Sequence, residues 1–282
     1  MTTLMQWLRR TPVHLFVLII CLIWMLPTAG LLISSFRPAN EVATTGWWTA
    51  FQTPWQFTLE NYQEVLTARN LDISFFNSLL ITVPATLLTI LMASYAAYAF
   101  AWMKFRGRDV LFVIVVSLLV VPLQLTLVPL LRLFNGVGIT GTFLAIWLAH
   151  AAFGLPFAIY LLRNFFSALP GELFEAASLD GASQFTTFYR IVLPVSVPAL
   201  ASLAIFQFMW VWNDLLGALI FLGGNRSVAP LTVTISNLVS SQGEGWQLLT
   251  AAAFISMLLP LLIFFSLQRY FINGILAGSV KG

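Results

Sequence analysis

The chain has 282 residues, of which 60% are hydrophobic and 8% are charged, and its formal net charge is +3. Soluble domains carry about 25% charged residues, so this composition excludes a soluble globular protein and indicates an integral membrane protein. The charge is too small to indicate nucleic-acid binding, and a single cysteine, Cys21, excludes a disulfide framework and a cysteine-based metal site.

Six apolar runs are each long enough to span a bilayer, since one spanning helix takes about 20 residues. The sequence therefore predicts an all-α polytopic membrane protein with six transmembrane helices. The first predicted span, Val13–Ile33, follows a short segment, residues 1–12. A cleaved signal peptide begins similarly, with Ala29 as its small residue, but this run exceeds the ~7–15-residue core of such a peptide, and an uncleaved span is favoured.

The connection formed by residues 36–72 contains three tryptophans of the kind found at membrane–water interfaces, namely Trp47, Trp48 and Trp55. The second predicted span is Ile73–Trp102. The third, Val110–Leu131, contains Pro122 and Pro129. Proline inside a spanning helix frees backbone carbonyls that other protein groups must satisfy, so we expect the third span to face the interior of the bundle.

The fourth predicted span, Thr142–Leu162, leads into a polar segment, residues 170–194. The fifth, Val197–Leu222, and the sixth, Leu248–Phe271, follow, so that residues 13–272 form one transmembrane domain. The C-terminal tail, residues 273–282, is short and glycine-rich, and we expect it either to be disordered or to dock on a cytoplasmic partner.

With six spans the connections alternate between two sides of the membrane. The side that holds both termini carries nine basic residues, namely Arg9, Arg10, Lys104, Arg106, Arg108, Arg163, Arg190, Arg269 and Lys281. The other side carries four, namely Arg37, Arg69, Arg132 and Arg226. Because basic residues accumulate on the cytoplasmic side, this asymmetry predicts that both termini and the polar segment are cytoplasmic.

No energy source or catalytic centre is evident in the sequence. Only two lysines occur, Lys104 and Lys281, and neither belongs to a GxxxxGK[ST] phosphate-binding loop. A carrier driven by protons or sodium usually has several ionisable residues in its spans, whereas only His150 and Asp214 are candidates here, and neither has an obvious charged partner in the sequence. The motifs HExxH and GxSxG are absent, so we predict that the chain is not an enzyme.

The polar segment, residues 170–194, predicts a helix, a turn and a second helix. Glu172 and Glu175 favour the start of the first helix, Gly181 is a stop signal, and Ser183 is suited to cap the second helix. Its charged residues prevent the segment from crossing a bilayer. We therefore expect this segment to lie in the cytoplasm and to contact another protein.

This segment also carries a signature with defined spacing. Glu175-Ala176-Ala177, Gly181 and Ile191-Val192-Leu193-Pro194 follow the pattern EAA-x3-G-x9-I-x-L-P. The pattern resembles the signature of permease subunits of binding-protein-dependent ABC importers. Further short stretches look like the carbohydrate-uptake branch of that family, in the subgroup related to the maltose-system G subunit and to permeases for α-glucosides: 34–37, 76–78, 121–122, 212–214 and 278–282.

The resemblance implies a type I importer in a bacterial inner membrane. Its parts are a sister permease, two copies of a cytoplasmic ABC ATPase and an extracytoplasmic solute-binding protein. ATP and Mg would be held by the ATPase subunits, and no cofactor by this chain. The residues expected to couple this chain to the ATPase are Glu175, Ala176, Ala177, Ser178, Asp180, Gly181, Ile191, Leu193 and Pro194. We expect Ala176, Ala177 and Ser178 to give the first short helix a low face that fits a groove of the ATPase.

Sugars are recognised by aromatic faces and by amide or carboxylate hydrogen bonds. The fifth span supplies both kinds of group in Trp210, Trp212, Asn213 and Asp214. Asp214 could equally cap a break in the helix or bond a neighbouring span, and the two tryptophans could equally face lipid. Gln124, Asn77 and Gln207 are weaker candidates, since buried amides in bundles commonly bond neighbouring helices.

The solute suggested by the resemblance is an α-glucoside such as sucrose, trehalose or maltose, or the osmolyte glucosylglycerol. The alternative function is that of an ion-coupled secondary transporter or a channel.

Overall fold

The computed structural model describes residues 2–52, 54–238 and 245–279, with side chains described for 11–52, 54–238 and 245–268. The α-helices in these ranges are α1 (Thr2–Ser35), α2 (Ala39–Thr44), α3 (Glu60–Thr67), α4 (Leu71–Trp102), α5 (Arg108–Ser117), α6 (Leu123–Gly136), α7 (Phe143–Ser167), α8 (Gly171–Leu179), α9 (Gln184–Thr187), α10 (Leu193–Val195), α11 (Val197–Trp212), α12 (Leu216–Phe221), α13 (Leu231–Ser236) and α14 (Trp246–Ser279). The described elements are all helical, which confirms the all-α prediction.

Four of these helices are long and apolar enough to cross a membrane, namely α1 from Thr11 onward, α4, α7 and α14 as far as Gln268. Two bent helix pairs also pass the same test, Arg108–Val120 with Leu123–Gly136 and Gln184–Val195 with Val197–Trp212. If each bent pair is one span, the described residues supply the six spans that the sequence predicts.

The chain divides into two compact units, residues 1–72 with 234–257 and residues 73–233 with 258–282. In the first unit, buried polar groups hold the connection that follows α1. Asn61 of α3 donates to the carbonyl oxygens of Ser35 and Arg37 at 2.9 and 2.8 Å. Arg37 is 2% exposed, lies 3.6 Å from Glu41 and donates to the Thr49 hydroxyl at 3.1 Å. Because buried polar groups are stable when they are bonded, these contacts give the connection a fixed fold.

The second unit contains a core cluster to which α4, α7 and α11 all contribute. On α4, Ala93 and Ala97 are fully buried, and they belong to the same core cluster as Ala158 and Leu162 of α7. Small residues are enriched at helix interfaces in membrane proteins, and these buried alanines fit that pattern. This cluster also takes in Phe188 and Val192 from the polar segment, so the segment is packed against the ends of these helices.

The third predicted span is not one helix. α5 and α6 meet at 103°, and the chain is extended at Val121 and Pro122 between them. None of the ten residues of α5 is buried, and Gln124 at the start of α6 is exposed. Phe112 and Val115 of α5 do pack against the core cluster. Within this chain the expectation that the span faces the interior of the bundle therefore holds for one side of α5 and is wrong for Gln124.

The fifth predicted span, Val197–Leu222, is also interrupted. α11 ends at Trp212, and a separate helix, α12, begins at Leu216. The last helix, α14, runs to Ser279, beyond the predicted end at Phe271. The predictions for the side chains of Arg9, Arg10, Arg269 and Lys281, and for contacts of the tail 273–282, lie outside the described side chains.

Candidate functional site

The polar segment forms the predicted helical hairpin. Its first arm is α8, which begins after Pro170 and ends at Leu179. Gly181 follows in the left-handed region with φ of +71°. The amide of Ala182 donates to the Ala177 carbonyl at 2.9 Å, and the amide of Gly181 donates to the Ser178 carbonyl at 3.1 Å. This pair of bonds is a Schellman motif, in which glycine is favoured because it adopts positive φ at little cost.

The second arm begins where Ser183 was expected to cap it. The Ser183 hydroxyl accepts a hydrogen bond from the Thr186 amide at 3.2 Å, and α9 starts at Gln184. The arm continues through a π-helical segment, Phe188–Val192, into α10. The second arm ends at Val195, just after Pro194, and the chain then bends by 75° into α11.

The nine residues expected to couple this chain to an ATPase differ in exposure. Six are exposed, namely Glu175, Ala176, Ser178, Asp180, Gly181 and Pro194. Ala177 is 6% exposed, and Ile191 and Leu193 are half-buried, with Leu193 packed against the core cluster of α4 and α7. The expectation that Ala177 belongs to the outer low face is therefore wrong, because its methyl group is buried within this chain.

An exposed apolar surface accompanies the pattern. Leu179, at the tip of α8, is 89% exposed, and Phe185, at the start of the second arm, is 68% exposed. Solvation of such side chains is unfavourable, so a partner that covers them gains free energy. Leu179 and Phe185 are not positions of the EAA pattern. The signal that could have identified them is that both are large apolar residues within four positions of Gly181.

Asp214 lies at the break between α11 and α12. Its Oδ1 accepts from the Gly217 amide at 3.1 Å, and its Oδ2 accepts from the Ala218 amide at 3.2 Å. Its carbonyl oxygen accepts from the Thr232 hydroxyl at 2.8 Å. The side chain thus caps α12, as the alternative in the sequence analysis stated, and the backbone of Asp214 holds α13.

His150 of α7 is the partner that the sequence did not reveal for Asp214. Its Nε2 lies 3.4 Å from Asp214 Oδ2, and the residue is 4% exposed. Within the described part of the chain neither ring nitrogen makes a hydrogen bond. The Trp210 ring meets the imidazole edge-on, with centroids 5.4 Å apart. The contact between His150 and Asp214 therefore joins α7 to the segment that follows the end of α11.

The other predicted solute contacts are committed to packing or local bonds. Trp212 is 4% exposed and lies against Phe75 and Phe208. The amide of Asn77 is buried and donates to the carbonyl oxygens of Ser227 and Ala229 at 3.0 and 3.1 Å. Asn213 is exposed and donates to the Met209 carbonyl within its own helix.

Trp210, in contrast, borders a cavity of about 260 Å³ between α7 and α11, which we call the aromatic cavity. The cavity is lined by Phe153, Gly154, Phe157, Phe206, Gln207 and Trp210. Gln207 is buried and donates to the Thr89 hydroxyl of α4 at 3.2 Å. A Cβ atom at Gly154 would lie 2.7 Å from the Gln207 amide, so glycine is what allows this amide to sit against α7. Aromatic walls with a fixed amide suit a small polar ring.

Comparison with protein families gives one match over most of the chain. Residues 73–276 match the family described as binding-protein-dependent transport system inner membrane component. The matched residues include the hairpin, the contact between His150 and Asp214, and the aromatic cavity.

Two curated relatives are similar along nearly the whole chain. One is the osmoprotective compounds uptake permease protein GgtD of Synechocystis sp., which is 57% identical over 276 residues that cover 97% of this chain and 93% of the relative. The other is the alpha-glucoside transport system permease protein AglG of Rhizobium meliloti, 43% identical with 97% of this chain and 99% of the relative covered.

A solved structure has a similar fold. It is a bacterial ABC transporter involved in the import of the acidic polysaccharide alginate, and it aligns with a TM-score of 0.77 at 21% identity. The alignment covers 92% of this chain and 94% of the other. At that identity the likeness concerns the fold alone.

Proposed function

Since this chain belongs to the family of binding-protein-dependent transport system inner membrane components, we propose that it is one of two permease subunits of an ATP-driven importer for a small carbohydrate. The single observation that carries the proposal is the hairpin of residues 170–194. It presents an exposed Glu175, Ala176 and Ser178 beside a glycine turn and an exposed Leu179. The chain itself is non-catalytic, so it needs a partner that hydrolyses ATP.

The partners follow from that role. Two copies of a cytoplasmic ABC ATPase would bind the hairpins of this chain and of a sister permease, and would hold ATP and Mg. An extracytoplasmic solute-binding protein would deliver the solute to the opposite side of the membrane. The excess of basic residues on one side supports placing both termini and the hairpin in the cytoplasm.

The solute is an α-glucoside or a glucosyl osmolyte, with sucrose, trehalose, maltose and glucosylglycerol as the compounds to test. Support comes from the names of the two relatives, which describe uptake of osmoprotective compounds and alpha-glucoside transport. Within this chain, we assign the sugar contact to Trp210 and Gln207, because both line the aromatic cavity and Trp212 and Asn77 do not.

Copurification and uptake test the proposal together. The wild-type chain should copurify with an ABC ATPase from membranes, and uptake of a labelled glucoside by vesicles should need both ATP inside and a solute-binding protein outside. Uptake that is driven by a proton or sodium gradient in the absence of ATP would contradict it. That result would favour an ion-coupled carrier, whose ionisable groups would then be His150 and Asp214.

A further inference from the structure

One face of α4 carries three aromatic side chains that contact the hairpin of residues 170–194. Tyr95, Tyr98 and Trp102 are separated by three and four residues, so they lie in a row along the helix. We call these three residues the aromatic row. Both arms of the hairpin touch it, as the following contacts show.

Trp102 joins three helices. Its ring stacks on Phe174 of α8, with centroids 3.6 Å apart and planes 19° from parallel. Its indole Nε1 donates to the Phe166 carbonyl at 2.8 Å, in the last turns of α7. The first arm of the hairpin is thereby fixed to the ends of both α4 and α7.

Tyr98 and Tyr95 hold the second arm. The Tyr98 hydroxyl donates to Gln184 Oε1 at 2.6 Å, at the first residue of α9. The Tyr95 ring stacks on Phe188 at 5.0 Å, and its hydroxyl is hydrogen-bonded to that of Tyr189. Phe188 and Tyr189 open the π-helical segment, and π-helical turns are frequent at functional sites.

We propose that the aromatic row is the contact through which the hairpin moves α4, and that Trp102 is a positioning residue for ATP-driven transport. This inference rests on the proposed function. Because the row holds both arms, the hairpin cannot tilt relative to α4 without breaking a stacked or hydrogen-bonded contact. Packed aromatic groups transmit displacement because protein interiors have low compressibility.

The structure connects the aromatic row to the aromatic cavity through α4. α4 is a continuous helix from Leu71 to Trp102, so movement at Trp102 is carried to Thr89. The Thr89 hydroxyl is bonded to Gln207, which lines the aromatic cavity. The row therefore connects the proposed ATPase contact with the proposed sugar contact by one helix and one hydrogen bond.

The test compares two indole groups that make the same kind of bond. Trp147 donates to the Leu80 carbonyl at 2.8 Å and thus also ties α7 to α4, but it does not touch the hairpin. The assembly purified with its ATPase is reconstituted in vesicles with the solute-binding protein, and sugar transported per ATP hydrolysed is measured for Trp102→Ala, Trp102→Phe and Trp147→Ala. Trp102→Ala should lower this ratio about two- to thirtyfold, the range for substitutions along a coupling route. Trp102→Phe, which keeps a stacking ring, should restore most of it, and Trp147→Ala should leave it unchanged.

The outcomes separate the inference from the proposed function. A wild-type ratio for Trp102→Ala, in an assembly whose sugar transport needs both ATP and the solute-binding protein, would overturn the inference alone. An equal decrease of the ratio in Trp147→Ala would also overturn the inference, because loss of any contact between α4 and α7 would then have the same effect. If Trp102→Ala does not assemble, the test uses Tyr98→Phe, which removes only the bond to Gln184. An unchanged ratio of sugar transported to ATP hydrolysed in that variant overturns the inference. A wild-type chain that binds no ATPase would instead remove the proposed function.

Discussion

The Asp214 carboxylate accepts hydrogen bonds from two backbone amides at the start of α12 and lies 3.4 Å from Nε2 of His150 on α7. The two residues are 64 positions apart in the sequence, yet they fix the point at which the fifth predicted span breaks. Burial of polar groups among apolar helices is costly unless they are bonded, so we expect this pair to serve structure or transport.

The first prediction concerns this helix cap. Asp214→Ala removes both acceptors and should lower the stability of the purified assembly by about 1–2 kcal/mol, the usual range for a lost cap. Asp214→Asn keeps one acceptor oxygen and should cost less. Thermal unfolding of each variant in detergent measures the difference. Asn213→Ala is the matched control, since it removes a local bond at an exposed neighbouring residue. A melting temperature for Asp214→Ala equal to that of the control would refute the capping role.

The second prediction separates two tryptophans of the same helix. Trp210 borders the aromatic cavity and is 39% exposed, whereas Trp212 is 4% exposed in a cluster with Phe75 and Phe208. Trp210→Ala should raise the sugar concentration that gives half-maximal uptake, with a near-normal amount of protein in the membrane. Trp212→Ala should lower the amount of protein, because truncation of a buried Trp costs about 3–5 kcal/mol.

Uptake curves normalised to the amount of each variant in the membrane distinguish these two effects. Gln207→Leu removes the amide at the cavity and should act as Trp210→Ala does. If the half-maximal concentration is unchanged in both Trp210→Ala and Gln207→Leu, the cavity is not the sugar contact of this chain.

The third prediction concerns the turn of the hairpin. Gly181 has φ of +71°, and a Cβ atom there would have nothing within 4 Å, so only the backbone conformation opposes a side chain. Gly181→Ala should therefore cost about 1 kcal/mol and reduce coupled transport, while Gly181→Asn, which tolerates this conformation better, should cost less. Sugar transported per ATP hydrolysed measures the functional effect.

Gly136→Ala is the matched control for this turn, since Gly136 also has open space around its Cβ position and lies within α6. It should leave the ratio of transport to hydrolysis unchanged. Equal ratios for Gly181→Ala, Gly181→Asn and the wild type would contradict a role for the glycine turn.

Local patterns in the sequence predicted the hairpin well. Gly181 and Ser183 act within a few residues of their own positions, so their effect could be inferred from the order of residues alone. The burial of Ala177 could not be inferred in this way. It depends on which face of α8 the rest of the chain covers, and that is a tertiary property.

The membrane-embedded site was predicted less completely for the same reason. The contact between His150 and Asp214 joins residues of different helices, and no local pattern pairs them. Phe153, Phe157 and Phe206 are three of 25 phenylalanines, and only the packing of α7 against α11 brings them to one cavity. The break at Asp214 did have a local signal, since Asn213 and Asp214 interrupt an apolar run and both residue types favour helix ends.

The last prediction concerns the side of the membrane on which the hairpin lies. In a Cys21→Ala background, Leu179→Cys places a thiol at a position that is 89% exposed, and Trp48→Cys places one at a position that is 64% exposed in the first connection. The basic residues predict that Leu179 is cytoplasmic and Trp48 extracytoplasmic. A maleimide that does not cross membranes should therefore label Trp48→Cys in intact cells and Leu179→Cys only after the membrane is opened, while Cys21→Ala alone stays unlabelled. Labelling of Leu179→Cys in intact cells would place the hairpin outside, where no ATPase could reach it, and would remove the proposed coupling.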